Sequence, residues 1–223
     1  MIIRIISGTI GIALATYVIQ EGGRTFIIAA ALLAVLAWLE YVRAFSRRGG
    51  NLTLFSGLLS IGGMLYGAYL GQIDIILFVL TASVLLVLIT SVLLRGDVSV
   101  PDVCISVAGI CYIGLPFAYL IMLRNLAVGS YVTPIETFDL GTAMVWVMFI
   151  GTWASDSFAY FAGRAFGSHK LAPAISPNKT IEGFLGGLIG TVAAMTGLGW
   201  LLAMPLAQMA GLGAAIAILG TLG

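Results

Sequence analysis

Apolar runs of about 20 residues follow one another along most of the chain, and each is long enough for an α-helix to cross a bilayer. Only 9% of the 223 residues are charged, against about 25% in a typical soluble domain, so a water-soluble fold could not cover its surface. The sequence therefore predicts an all-α, polytopic transmembrane helical bundle. About eight spans are expected, the last one truncated, at 3–20, 25–45, 53–71, 73–94, 102–123, 139–162, 182–203 and 207–222.

A helical bundle is favoured over a membrane β-barrel because apolar and polar residues do not alternate over strand lengths. The net charge of +1 gives no basic field for nucleic acid, so no nucleic-acid partner is expected. One integral membrane domain over 1–223 is the simplest division. Glycines repeat every four residues at Gly63, Gly67 and Gly71 and again near Gly183, which predicts faces where helices pack closely.

Basic residues predict the orientation in the membrane. With the N-terminus in the cytoplasm, only Arg24 and Arg124 fall on the outer side. An excess of basic residues on the inner side is typical of membrane proteins. We expect a multi-pass protein of the cell (inner) membrane. Its cytoplasmic side would carry Arg4, Arg43, Arg47, Arg48, Arg95, Arg164, Lys170 and Lys179.

Polar groups concentrate in one stretch, 155–187, which we call the polar segment. It contains the only histidine, His169, and both lysines of the chain. Asp156 lies within an apolar run, on the same helix face as Tyr160 and Gly163. A carboxylate in a span is costly and usually faces the bundle interior. Two interpretations stay open, an ion pair with Arg164 or a lysine, and a role in binding an ion or substrate.

The second half of the polar segment predicts the start of a helix. Ser176-Pro177 and Thr180 are both helix-start signals, so the seventh helix is expected to begin at about 176–181. Unpaired N–H groups at such a terminus attract anions, and Lys170 and Lys179 could close over the same spot. Glu182 would either complement the helix dipole or position a cation. His169 is expected to be an interface residue, and the lysines could also be membrane anchors.

The motifs of the polar segment resemble those of the phosphatidate cytidylyltransferase (CDP-diacylglycerol synthase) family. The matching residues read SDSFAYFAGRAFG at 155–167 and KLAPAISPNKTIEG at 170–183. The resemblance implies a nucleotidyltransferase of phospholipid biosynthesis. Such an enzyme transfers a cytidylyl group from CTP to phosphatidate, giving CDP-diacylglycerol and pyrophosphate. The implied cofactor is Mg²⁺, and a second cation is optional.

The resemblance also implies roles for individual residues. Lys179, Lys170 and Arg164 would neutralise phosphate oxygens, and Asp156 would hold a cation or orient a lysine. A homodimer is expected from the family and the glycine-rich faces. Substrate-binding residues are expected at Ser176, Pro177, Asn178, Thr180, Glu182 and Gly183.

One departure from the family matters. Members carry a second signature near the C-terminus, whose aspartates are expected to form the main metal site, and this sequence has no such run. We therefore expect the chain to be a fragment that is inactive alone, with those aspartates beyond residue 223. Two alternative functions stay open, a CTP-dependent lipid kinase of the dolichol or phytol type and a non-enzymatic transporter or scaffold.

Overall fold

A computed structural model of the chain describes residues 2–93, 98–126, 130–132, 137–173 and 176–222. These residues form helices almost throughout, with two short antiparallel hairpins. They group into two compact units, Met1–Leu126 and Ala127–Gly223. The predicted all-α fold is confirmed, whereas the expectation of a single domain over 1–223 stays a prediction. Arg95, which entered the orientation argument, and Ile175 of the motif lie outside the described residues.

The first unit consists of helices with a shared apolar core. The largest fully buried side chains of this core include Trp38, Ile61, Met64, Ile110 and Ile121. Large apolar side chains also cover the outward faces, where lipid rather than water would stabilise them. The helices are α1 (Ile2–Glu21), α2 (Gly23–Ser46), α3 (Leu54–Tyr69), α4 (Ile73–Leu93) and α5 (Val100–Arg124).

Aromatic side chains of α2 lie in notches formed by glycines on its neighbours. A Cβ added to Gly57 of α3 would collide with the indole ring of Trp38, whose Nε1 donates to the Leu54 carbonyl oxygen at 3.1 Å. Gly109 of α5 makes the same room for Tyr41. Side-chain size therefore sets how closely α2 approaches α3 and α5.

The glycines repeated along α3 have two different roles, helix packing and the ending of the helix. A Cβ at Gly63 or Gly67 would lie 3.0 Å from Val79 or Ile75 of α4, so the predicted close packing is confirmed there. For Gly71 that prediction is wrong, because nothing lies within 4 Å and its φ is +68°. The Gln72 N–H donates to the Gly67 carbonyl, so Gly71 ends α3 in a Schellman motif.

Both ends of α5 are tied down. Ser99 and Asp102 form a reciprocal capping box at its start. At its other end the buried Arg124 donates from Nε to the Ile19 carbonyl oxygen at 2.9 Å and from Nη2 to that of Gln20 at 3.4 Å. These bonds satisfy carbonyl groups at the end of α1 that lack helical partners.

The second unit is built on three helices and two hairpins, among the residues that the structure describes. Its buried core contains Val147, Met195 and Met209. The helices are α6 (Leu140–Phe166), α7 (Ile181–Leu201) and α8 (Leu206–Leu222), and the paired strands are β1 (Ser130–Val132) with β2 (Thr137–Asp139) and β3 (Lys170–Ala172) with β4 (Ser176–Thr180).

Four of the described helices, α2, α4, α5 and α7, are long and apolar enough to cross a membrane. The helices α3 and α8 are also apolar but shorter. A multi-pass membrane protein is therefore confirmed. The total of about eight crossings stays a prediction.

Candidate active site

The described part of the polar segment borders a cleft of about 520 Å³ in the second unit. The cleft lies between the end of α6, the β3–β4 hairpin, the start of α7 and the last turn of α8. Its size is in the range of about 300–1,000 Å³ typical of small-molecule sites. Its polar and charged lining residues are Ser155, Asp156, Tyr160, Arg164, Asn178, Lys179, Thr180 and Thr221.

The helices α6 and α7 can meet beside the cleft because small residues face one another. A Cβ at the buried Gly183 would lie 3.0 Å from the Ala159 carbonyl oxygen and 3.2 Å from the Gly163 Cα. One turn further on, a Cβ at Gly187 would lie 3.0 Å from the Ala159 Cβ. The predicted close-packing face of α7 is confirmed, and it holds the two backbones together next to the site.

The hairpin β3–β4 presents the Ser-Pro-Asn-Lys-Thr residues in extended form. Lys170 pairs with Thr180, and Ala172 with Ser176. The predicted start of the seventh helix at about 176–181 is confirmed at the end of that range, with Ile181, whereas Ser176-Pro177 belong to β4 and do not start the helix. Thr180 is the N-cap instead, and its Oγ1 accepts from the Gly183 N–H at 3.1 Å.

The first turn of α7 is less open to an anion than the sequence suggests. The Ile181 N–H donates to the His169 carbonyl oxygen at 2.9 Å, and the Gly183 N–H is taken by Thr180. The expectation of unpaired N–H groups is therefore wrong at these two positions.

Lys179 is more buried than Arg164, the other cation of the described cleft lining. It is half-buried, and its Nζ donates to the carbonyl oxygen of Thr221 at 2.6 Å. Thr221 lies near the end of α8 as the structure describes it, and its backbone carbonyl is the acceptor. This bond brings β4 and the end of α8 together at the cleft.

Arg164 and Asp156 line the same cleft from α6. The Arg164 Nη1 donates to the Tyr160 hydroxyl oxygen at 2.9 Å, which holds the guanidinium along the helix. Asp156 is exposed, and within the described ranges it has no hydrogen bond or ion pair. The interpretation of Asp156 as half of an ion pair therefore has no support here, and its carboxylate is open to a ligand.

The remaining predicted residues divide into two groups. Asn178 and Gly183 line the cleft, whereas Lys170, Ser176, Pro177 and Glu182 are outside the lining that the structure describes. Lys170 is exposed on the hairpin. The roles of all these residues stay predictions.

Glu182 contacts His169 rather than the cleft. Its Oε1 is 2.6 Å from the His169 Nδ1, and both carboxylate oxygens are 3.2 Å from the His169 backbone nitrogen. Neither of the two roles left open for Glu182 includes this contact. Residue types alone do not reveal it, because the partners are 13 residues apart across a hairpin.

Some lining residues escaped the sequence analysis. Leu171 and Phe184 add apolar wall, and Thr221 adds the carbonyl that holds Lys179. Leu171 and Phe184 lie inside or next to the motif, so proximity in sequence could have identified them. Thr221 is 42 residues beyond Lys179 and has no motif signal.

The donor set of the cleft limits which metal could bind. Among the described residues, no group of three or more His, Cys, Asp or Glu side chains could hold an ion. Asp156 is the carboxylate in the described lining. One carboxylate fits Mg²⁺ when substrate phosphates and water supply the other ligands. A single carboxylate provides too few ligands for a metal ion that protein groups alone would hold.

Comparisons with known proteins match this chain to cytidylyltransferases. The model of the Cytidylyltransferase family matches residues 2–223. The phosphatidate cytidylyltransferase of Bacillus subtilis (strain 168) is 29% identical over 194 residues, which are 83% of this chain and 66% of that protein. The proteins of the same name from Staphylococcus saprophyticus and Staphylococcus haemolyticus are 31% and 32% identical, over 85% of this chain and 68% of each relative.

The chain thus spans about two thirds of the length of the curated relatives that it matches. The family match extends over both compact units and includes the cleft. It confirms the resemblance seen in the Ser-Pro-Asn-Lys-Thr block. On this evidence the chain belongs to the cytidylyltransferase family.

Proposed function

We propose that the full-length gene product transfers a cytidylyl group from CTP to phosphatidate, giving CDP-diacylglycerol and pyrophosphate. The family match and the names of the relatives support this activity. The structural observation that supports it for this chain is that Lys179, Arg164 and Asp156 line the same cleft of the second unit. Two cations and one open carboxylate are the groups that a nucleoside triphosphate and its metal require.

The transfer needs positioning and charge stabilisation more than covalent chemistry from the protein. A phosphate oxygen of phosphatidate forms a bond to the α-phosphorus of CTP. The bond from that phosphorus to the oxygen bridging to the β-phosphorus breaks, and pyrophosphate leaves with the electron pair. Lys179 and Arg164 bind phosphate oxygens and stabilise the charge that develops there. Asn178, Thr180 and Gly183 shape the wall against which the nucleotide lies.

Asp156 is the residue that would hold Mg²⁺, together with phosphate oxygens of the substrate. The bound ion supplies neutralisation of the triphosphate charge. Ser176 and Glu182 act from the hairpin and its base, and Lys170 adds a surface charge that does not touch the nucleotide. A homodimer is part of the proposal. The protein lies in the cell membrane with this cleft on the cytoplasmic face, as the distribution of basic residues favours.

Two radiolabelled nucleotides test the proposal. The full-length gene product in phosphatidate-containing vesicles should transfer label from [α-³²P]CTP into lipid and release label from [γ-³²P]CTP as pyrophosphate. Transfer of the γ-label into lipid would identify a lipid kinase instead. Transfer of neither label, with no CTP-dependent protection of Lys179 from amine modification, would favour a transporter or scaffold and overturn the proposal.

The two lysines make that protection experiment simple to interpret. Lys179 lines the cleft and Lys170 does not, so Lys170 is an internal reference. CTP should slow modification of Lys179 and leave that of Lys170 unchanged. Equal protection of both lysines would place the nucleotide elsewhere on the hairpin.

A further inference from the structure

Glu182 and His169 together close the base of the β3–β4 hairpin. The Glu182 carboxylate accepts from the His169 backbone N–H, with each oxygen 3.2 Å from that nitrogen, and its Oε1 lies 2.6 Å from the ring Nδ1. The His169 carbonyl oxygen in turn accepts from the Ile181 N–H at 2.9 Å. Side chain and backbone therefore join the residue before β3 to the first turn of α7. We call this arrangement the hairpin clamp.

Within the hairpin itself, the described strand pairing is sparse. Among its described residues, Lys170 pairs with Thr180 and Ala172 with Ser176, and the register is irregular between these two pairs. Yet β4 carries three cleft residues, Asn178, Lys179 and Thr180. The hairpin clamp is next to Thr180 in sequence, at the end of the hairpin where the two strands connect to α6 and α7.

We infer that Glu182 is a positioning residue for nucleotide binding. Acting through the backbone N–H and ring of His169, its carboxylate keeps β4 against α6 and so fixes the place of the Lys179 ammonium. Glu182 is not in the cleft lining that the structure describes, so it acts without touching the nucleotide. This inference rests on the proposed function, because it assigns the clamp a task in holding the CTP phosphates.

Three variants of the full-length gene product distinguish a positioning role of Glu182 from a general contribution to stability. Glu182→Gln keeps an oxygen that accepts from the His169 N–H, whereas Glu182→Met has similar length and no hydrogen-bonding group. Asp74→Asn is the matched control. Asp74 is likewise the second residue of a membrane-spanning helix, is exposed, and makes no hydrogen bond within the described residues.

Loss of the hairpin clamp should weaken nucleotide binding more than it slows the chemical step. Glu182→Met should raise the KM for CTP by about tenfold or more, the scale of one lost hydrogen bond to a charged group, with a smaller change in kcat. Glu182→Gln should stay within about threefold of the wild type, since a neutral hydrogen bond remains. Asp74→Asn should leave both constants unchanged.

A second measurement needs no turnover. Without nucleotide, modification of Lys179 by an amine reagent should be slower than that of the exposed Lys170 in the wild type. Glu182→Met should raise the ratio of Lys179 to Lys170 modification, because the released β4 loses its bond to Thr221. Glu182→Gln should restore the wild-type ratio.

The outcomes are distinct. A wild type that neither binds nor uses CTP defeats the proposed function, while the lysine ratio still tests the clamp. An active wild type whose Glu182→Met variant keeps its KM and lysine ratio overturns the inference. So does a Glu182→Gln variant as impaired as Glu182→Met, or a Glu182→Met variant in which the rise in KM is accompanied by an equal loss of kcat and a loss of thermal stability.

Discussion

Lys179 donates a hydrogen bond to the backbone carbonyl of Thr221, 2.6 Å away and 42 residues later in the chain. The acceptor belongs to the last turn of α8, and the donor belongs to β4 of the candidate active site. A backbone oxygen thus holds the ammonium group at the cleft without neutralising its charge. The lysine stays available to a phosphate that approaches from the cleft.

Replacing Lys179 should cost far more activity than replacing Lys170. In the full-length gene product, Lys179→Ala should lower kcat/KM for CTP by about 100-fold or more, as expected for the loss of a charge-stabilising group. Lys170→Ala should lower it by less than about fivefold, the scale for an exposed charge. Steady-state kinetics check both. Equal losses would show that Lys170 acts on the substrate although it lies outside the described lining.

Removing the Tyr160 hydroxyl should weaken the contribution of Arg164. Tyr160→Phe deletes the acceptor of the 2.9 Å bond and should lower activity by about fivefold, the value of one hydrogen bond. Combined with Arg164→Ala, the Tyr160→Phe change should have little further effect, since the two act as a unit. A double-mutant cycle measures this coupling. Additive losses would contradict it.

Adding a methyl group at Gly183 should separate α6 from α7. Gly183→Ala places a Cβ 3.0 Å from the Ala159 carbonyl oxygen, and a backbone atom cannot yield easily. We expect a loss of about 1–3 kcal/mol in the free energy of unfolding, measured by titration in mixed micelles. Gly197→Ala on the same helix is the control, because nothing lies within 4 Å. A Gly183 variant as stable as the Gly197 variant would refute the close contact.

The N-cap of α7 should depend on the Thr180 hydroxyl. Thr180→Val keeps the shape of the side chain but removes the acceptor of the Gly183 N–H, at a cost of about 1 kcal/mol. Thr180→Ser should retain most of the stability. Thermal unfolding of the three proteins in detergent gives the comparison. Matching melting temperatures for valine and threonine would rule out the cap.

In the first unit, Gly57 should be intolerant of alanine. The added Cβ collides with the Trp38 ring, which is fully buried and cannot swing aside without opening the core. Overpacking of this kind costs about 1–3 kcal/mol. Gly62→Ala on α3 has nothing within 4 Å and should be tolerated. Comparable stability of the two variants would show that Trp38 can rearrange.

The positions of the helices could be predicted from the sequence because hydrophobic length and turn residues are local signals. Thr180 was recognisable as a helix start for the same reason. The strand at Ser176-Pro177 was not, because the same two residues also suit a helix N-terminus, and pairing with β3 decided between the two.

The candidate site could be predicted only in part. The residue types of Asp156, Arg164 and Lys179 indicate phosphate and metal chemistry, and all three line one cleft. Lys170 has the same chemistry but lies outside that lining, a difference that its residue type does not reveal. The contacts of Lys179 with Thr221 and of Glu182 with His169 depend on tertiary structure, so no local pattern announces them.

The hydrogen bonds of Arg124 affect the order in which the first unit assembles during synthesis. Its guanidinium completes the end of α1 by donating to the carbonyl oxygen of Ile19, which the ribosome adds 105 residues earlier. Until the arginine emerges, those carbonyl groups depend on water at the membrane surface. Among α1 to α5, α1 is therefore locked in place only after α5 has been made.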